Sequence, residues 1–104
     1  MIQVSIIRSK KFYRMMKVTG HAHSAPYGED LVCAAVSAVM TGGINALDLQ
    51  AVKVKNIEGL SEIQITNLQN LENQSVLQVL ITQLKTIAND YPKYIRIQTK
   101  EENV

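Results

Sequence analysis

Residues 20–37 read GHAHSAPYGEDLVCAAVS, and this span sets the rest of the chain in order. Its first half carries Gly20, Pro26 and Gly28 with no apolar period, the composition of a loop. Its second half turns abruptly apolar. Asp30 is of the type that caps helices, and the run behind it predicts a helix from there to about Leu49. A loop over residues 19–29 is long enough to suggest function, and this one holds His21 and His23 just ahead of Cys33, the only cysteine.

Outward from that span, residues 2–8 and 12–18 are rich in β-branched and aromatic side chains, and Ser9, Lys10 and Lys11 between them read as the turn of a hairpin. Residues 52–57 and 61–66 alternate apolar with polar around Glu58, Gly59 and Leu60, which predicts a second hairpin. Ser75 followed by Gln78 resembles a capping box, and Val76, Leu80, Leu84 and Ile87 mark a helical face ending near Asp90, with Pro92 as a stop. Residues 94–99 supply a last strand. The order β-β-α-β-β-α-β predicts an α+β fold, two helices packed on a mostly antiparallel sheet, in a single domain over residues 1–104.

The formal charge of +2 falls short of the basic excess expected of a nucleic-acid binder. Arg8, Lys10, Lys11, Arg14 and Lys17 crowd a stretch without acids, but they read as a solvated hairpin, so no direct nucleic-acid contact is expected. The longest apolar stretch, residues 31–47, is interrupted by Ser37, Thr41, Gly42, Gly43 and Asn45, which suits a buried helix better than a membrane span. One cysteine makes neither an internal disulfide nor a thiolate metal cage. The expectation is a cytoplasmic protein with no membrane contact, no metal and no cofactor.

The predicted helix is apolar on most sides, so it lies between layers or packs partly against a second copy. Its polar positions Cys33, Ser37, Thr41 and Asn45 recur every fourth residue and form one slowly drifting stripe. With Asp30 as N-cap, Cys33 is the third helical residue, where free amides and the helix dipole favour an anion by about 0.3–1 kcal/mol. A thiol attacks a carbonyl as thiolate, and an imidazolium beside it stabilises that charge. His21 is the candidate base, with His23 able to replace it or to join it on a metal. The residues taken singly allow a plainer reading: a cysteine in an apolar helix is a small hydrophobe and a loop histidine a surface residue.

The wording of the segment distinguishes these readings. Gly20-His21-Ala22, Tyr27-Gly28, Asp30, Val32-Cys33-Ala34-Ala35 and Ser37, followed by Asn45-Ala46, resemble in residue and spacing the signature of the ribosomal-processing cysteine protease family, Prp. Length and element order are also similar. The resemblance implies a cysteine endopeptidase with a Cys/His dyad, a homodimer, whose substrate is the N-terminal extension of large-subunit ribosomal protein twenty-seven, cut after an aromatic residue. It also implies roles on this chain: His21 as general base, Cys33 as nucleophile, and Asp30 and Ser37 as supporting residues. Ala25 and Pro26 stand where similar proteins usually carry a glycine and an acid, and Pro26 pushes Ala25 toward extended backbone.

Amides around Cys33 at the helix start are then the natural donors to an oxyanion. The Ser37 hydroxyl either orients the dyad or bonds back to the Cys33 carbonyl. Glu29, Glu58 and Glu62 are candidates to meet a basic substrate. The rival class is a non-enzymatic, ribosome-associated binding module in which the basic hairpin touches RNA and Cys33 is packed away.

Overall fold

Ile2, Val4 and Ile6 alternate with Gln3, Ser5 and Ile7, and the first set is buried. In the computed structural model, which describes residues 1–20 and 27–102 (27–30 by backbone alone), this alternation orients the first strand, β1 (Ile2–Ser9). It pairs antiparallel with β2 (Phe12–Thr19) across a turn in which Lys10 takes φ 55°. The register slips between Ile7 and Arg8, so Arg14 of β2 stands bulged out between the partners of those two residues.

The chain continues through α1 (Tyr27–Asn45), a short 3-10 turn (Leu49–Ala51), β3 (Val52–Ile57), β4 (Leu60–Ile65), α2 (Leu71–Asp90) and β5 (Ile95–Glu101). The five strands lie in the order β3-β4-β2-β1-β5, and every pairing is antiparallel except β1 with β5. That parallel pair follows from the α2 crossover, since parallel neighbours need a long connection. The predicted class and element order are the observed ones.

Both helices meet the inner row of the sheet. Val32, Val36 and Met40 of α1 and Leu77, Leu80, Ile81 and Leu84 of α2 form one core with Ile2, Val4, Ile6, Met16, Val18, Ile63 and Ile65. The helices approach closely at Gly43, where an added Cβ would lie 2.6 Å from Cδ1 and Cγ of Leu80. In α2 the buried side chains recur at helical spacing, with the expected Val76 and Ile87 only half-buried at the flanks.

Three helix ends differ from expectation. α1 begins at Tyr27, so Asp30 is its fourth residue and not its cap. Pro26 directly before Tyr27 suits a helix start, and Glu29 and Asp30 then place acids in the first turn, where the dipole favours them. α1 stops at Asn45 rather than near Leu49, because Asp48 turns out of the helix: its N–H donates to Asn73 Oδ1 at 2.8 Å and its carboxylate accepts from Gln50 N at 3.1 Å. α2 starts at Leu71, capped by Asn70, whose Oδ1 accepts from Asn73 N at 3.0 Å, so Ser75 lies inside the helix and the capping box does not form. The polar first turn hid this start. Asn73 is fully buried there, its amide also donating to Asp48 O at 3.1 Å.

Two of the crowded cations are matched within the fold. Arg8 Nε lies 3.7 Å from Glu101 and Arg14 Nε 3.4 Å from Glu102, and the Arg8 guanidinium sits 4.7 Å from the Tyr13 ring centroid. The first pair is an ion pair without a hydrogen bond at Nε.

Candidate active site

The fourfold spacing of Cys33, Ser37 and Thr41 sets all three on the wall of one cleft of about 260 Å³, between α1 and the β3–β4 turn. Its floor is apolar, from Ile2, Val18, Val36 and Met40. Across from the helix stand Asn56, Glu58, Leu60 and Ser61. Gly20 lies on the same cleft, at the point where the chain leaves β2 toward His21.

Cys33 is half-buried: one side packs against the core and the other lines the cleft. A sulfur in this setting is open to an incoming carbonyl, unlike one sealed among aliphatic neighbours. Ser37 is exposed, one turn further along, and among the described residues its hydroxyl has no hydrogen-bond partner. The back-bond to the carbonyl four residues earlier, which Thr82 makes at 2.8 Å and Thr86 at 3.0 Å, is not made at Ser37. Its hydroxyl is thus available to the cleft.

The helix start changes the local electrostatics. Cys33 is the seventh residue of α1, in its second turn, and not the third. Only the first four amides of a helix lack intrahelical acceptors, so those at Cys33 and Ala34 belong to the helix's own ladder and are not free for an oxyanion. The dipole's effect also falls off within the first turn, so its contribution at the sulfur is smaller than the capped arrangement promised.

His21 and His23 lie outside the described residues, as do the side chains of Glu29 and Asp30. Of the three acids considered for a basic substrate, Glu58 lines the cleft and is the only charged group there among the described residues, whereas Glu62 stands on β4 between Lys17 and Lys55 of the neighbouring strands. Among the described residues, no three His, Cys, Asp or Glu side chains gather as a metal site requires. No described helix is long and apolar enough to cross a membrane.

The far wall was not foreseen. Ser61 Oγ donates to Asn56 Oδ1 at 2.7 Å across the β3–β4 pair, and both face Cys33's cleft. The hairpin itself was readable from its turn residues. Its position opposite α1 was not, because no local pattern reports which helix face a hairpin meets.

Known proteins are similar to this chain over nearly its whole length. The family model of cysteine protease Prp matches residues 1–96. A ribosomal processing cysteine protease Prp from Bacillus subtilis is 34% identical, with 95% of this chain and 97% of that protein covered. Among solved structures, the ribosomal processing protease Prp of Staphylococcus aureus in complex with a substrate peptide aligns with a TM-score of 0.87 at 30% identity, over 96% of this chain and 100% of the other. A Staphylococcus aureus Prp structure with a covalently linked product peptide aligns with a TM-score of 0.84, again at 30% identity and with the same coverage. A shared sequence signature, a shared fold and a cysteine on an open cleft agree: this chain is a cysteine protease and belongs to the Prp family of ribosomal-processing proteases.

Proposed function

We propose that this protease removes the N-terminal extension of large-subunit ribosomal protein twenty-seven, with Cys33 as nucleophile and His21 as general base. The observation that carries the reading is the placement of the chain's single cysteine, half-buried on the wall of the cleft. A cysteine protease with one cysteine has one candidate thiol. His21 is bonded directly to Gly20, which lines the same cleft, so the chain enters the histidine segment from the rim of the site.

In this reading the Cys33 thiolate adds to the carbonyl carbon of the scissile bond, and the tetrahedral intermediate collapses as the C–N bond breaks. The His21 imidazolium gives its proton to the departing amine. Water, deprotonated by the same imidazole, then hydrolyses the thioester and regenerates the thiol-imidazole pair. The apolar floor of Val18, Val36 and Met40 suits an aromatic side chain next to the cut. Glu58 offers a carboxylate to a basic neighbour in the substrate. Asp30 and Ser37 support the site, Asp30 from the first turn of α1 and Ser37 from beside the thiol.

The enzyme acts in the cytoplasm, as a homodimer. Support for a second copy comes from an apolar hollow between the helices, lined by Ala38, Val39, Gly42, Ala46 and Val76 with the exposed Val79 at its edge. The decisive experiment is turnover of a peptide spanning the ribosomal-protein extension. Cys33→Ala and His21→Ala should each abolish cleavage with an unchanged circular dichroism spectrum, and retained turnover in Cys33→Ala would end the proposal.

A further inference from the structure

The register of the sheet gathers charge that the sequence scatters. Residues directly opposite one another across a ladder share a face. The row Lys55, Glu62, Lys17, Ser5, Gln98 runs across all five strands, and the next row is Lys53, Gln64, Met15, Ile7, Lys100. Both lie on the side away from the inner row of Ile6, Met16 and Ile63, which are buried, and the half-buried Val54. Arg96 joins them from the row of Gln3. The bulged Arg14 reaches the same side, sharing a surface hollow with Ile7, Met15, Lys53, Gln64 and Glu102.

This face therefore carries six cations, Arg14, Lys17, Lys53, Lys55, Arg96 and Lys100, against two carboxylates, Glu62 and Glu102. Its excess of four exceeds the +2 of the whole chain, so the rest of the molecule is net acidic. Lys53, Lys55, Arg96 and Lys100 are exposed. Five strands spaced about 4.8 Å apart make a surface about 19 Å wide, and cations two residues apart on one strand lie about 6.8 Å apart. Both helices pack on the opposite face, and the cleft opens on their side.

We propose that this open sheet face docks the phosphate backbone of a nucleic acid. The cations span the whole width of the sheet, which suits a partner with repeated charges rather than one acidic side chain. Protein–protein interfaces are depleted in lysine and centred on apolar and aromatic groups. Here the centre offers only Ile7 and Met15. No aromatic side chain lies in these rows to stack a base, so the face reads phosphates and not sequence. Net charge alone argued against such a partner; the proposal rests instead on how strand register distributes that charge. The inference goes beyond the proposed cleavage reaction and stands independently of the substrate's identity.

The test is fluorescence anisotropy of a fluorescein-labelled RNA duplex of about 20 base pairs, long enough to cross the sheet, titrated with protein between about 50 and 200 mM salt. Binding should weaken linearly in log affinity against log salt. K53Q/K55Q and R96Q/K100Q should each reduce that slope by about two, one per cation removed, whereas K85Q, on α2 in the other layer, should leave it unchanged. Each variant should still cleave the free peptide at the parental rate, which shows that the fold is intact. The proposal is overturned by no binding at the lowest salt, by slopes that neither pair moves, by an equal loss in K85Q, or by strong discrimination between two duplexes of unrelated sequence. Sedimentation in which both pairs dissociate a dimer would overturn it too, assigning the face to a second copy.

Discussion

The backbone N–H of Gly20 donates to the carbonyl of Gly59 at 3.2 Å, tying the residue before His21 to the turn that walls Cys33's cleft. Gly20 holds φ 94°, and a Cβ there would come within 2.5 Å of the Met1 carbonyl oxygen. The obstacle is backbone, the carbonyl directly before β1, and not the end of a flexible side chain. The histidine segment thus leaves β2 from a point fixed on two sides.

Gly20→Ala is expected to lose about 2 kcal/mol in urea denaturation, from left-handed backbone strain together with the overlap. That is tolerable against a typical stability of about 5–15 kcal/mol, so the variant should fold. Peptide turnover should nonetheless drop at least about tenfold, because a small displacement of a catalytic group costs far more rate than stability. Parental kcat/KM in the folded variant would contradict the anchoring role.

Adjacent glycines of α1 should respond with opposite signs. Gly42 has nothing within 4 Å of an added Cβ, so Gly42→Ala should stabilise by about 0.5–1 kcal/mol through helix propensity. Gly43→Ala would push into Leu80 and should destabilise by about 1–3 kcal/mol. Adding Leu80→Ala to Gly43→Ala should cost less than the two single changes summed, since the new methyl occupies space the leucine vacates. Thermal melts of the four proteins decide this.

Asn73 has no exposed surface, and its side chain answers both the N–H and the carbonyl of Asp48. Asn73→Ala leaves two backbone groups without those partners and should cost about 3 kcal/mol. Asn70 Nδ2 also holds the Asp48 carboxylate at 3.0 Å, so the loss should loosen the link between α1 and β3. Faster amide exchange over residues 46–52 than over the central strands is the expected signature.

Ser37→Ala should leave the melting temperature unchanged, because the hydroxyl is exposed and bonds to no described residue. If the hydroxyl meets substrate or dyad as proposed, kcat/KM should fall about two- to tenfold, the worth of one neutral hydrogen bond. An unchanged rate would reduce Ser37 to a solvated helix residue.

Glu58→Gln removes the only charge that the described residues bring to the cleft. For peptides with lysine or arginine near the scissile bond, KM should rise up to about fivefold at low salt, as expected for an exposed ion pair, and much less for neutral peptides. An equal effect on both peptide sets would place Glu58 outside substrate recognition.

Much of this architecture is written locally. Period-two burial in Ile2, Val4 and Ile6, the turn residues at Lys10 and Gly59, and the apolar run after Asp30 each depend on neighbours a few residues away, so they can be read in one dimension. Cys33, Ser37 and Thr41 shared a stripe on the same grounds, since helical spacing alone places them there. The helix ends were less legible. Asp48 leaves α1 for a bond to Asn73, a residue 25 positions away, and no capping pattern near Asp48 reports a partner at that distance.

The chain's letters determined the element order, the place of its single cysteine and the family to which it belongs. Tertiary structure decided what stands across from Cys33, because Asn56, Glu58 and Ser61 reach the cleft only once β3 and β4 are carried to the sheet's far side. It also decided where the charge lies. A net of +2 is a sum without direction, whereas strand register sorts lysines from β2, β3 and β5 onto one face, and only pairing between distant strands sets that register.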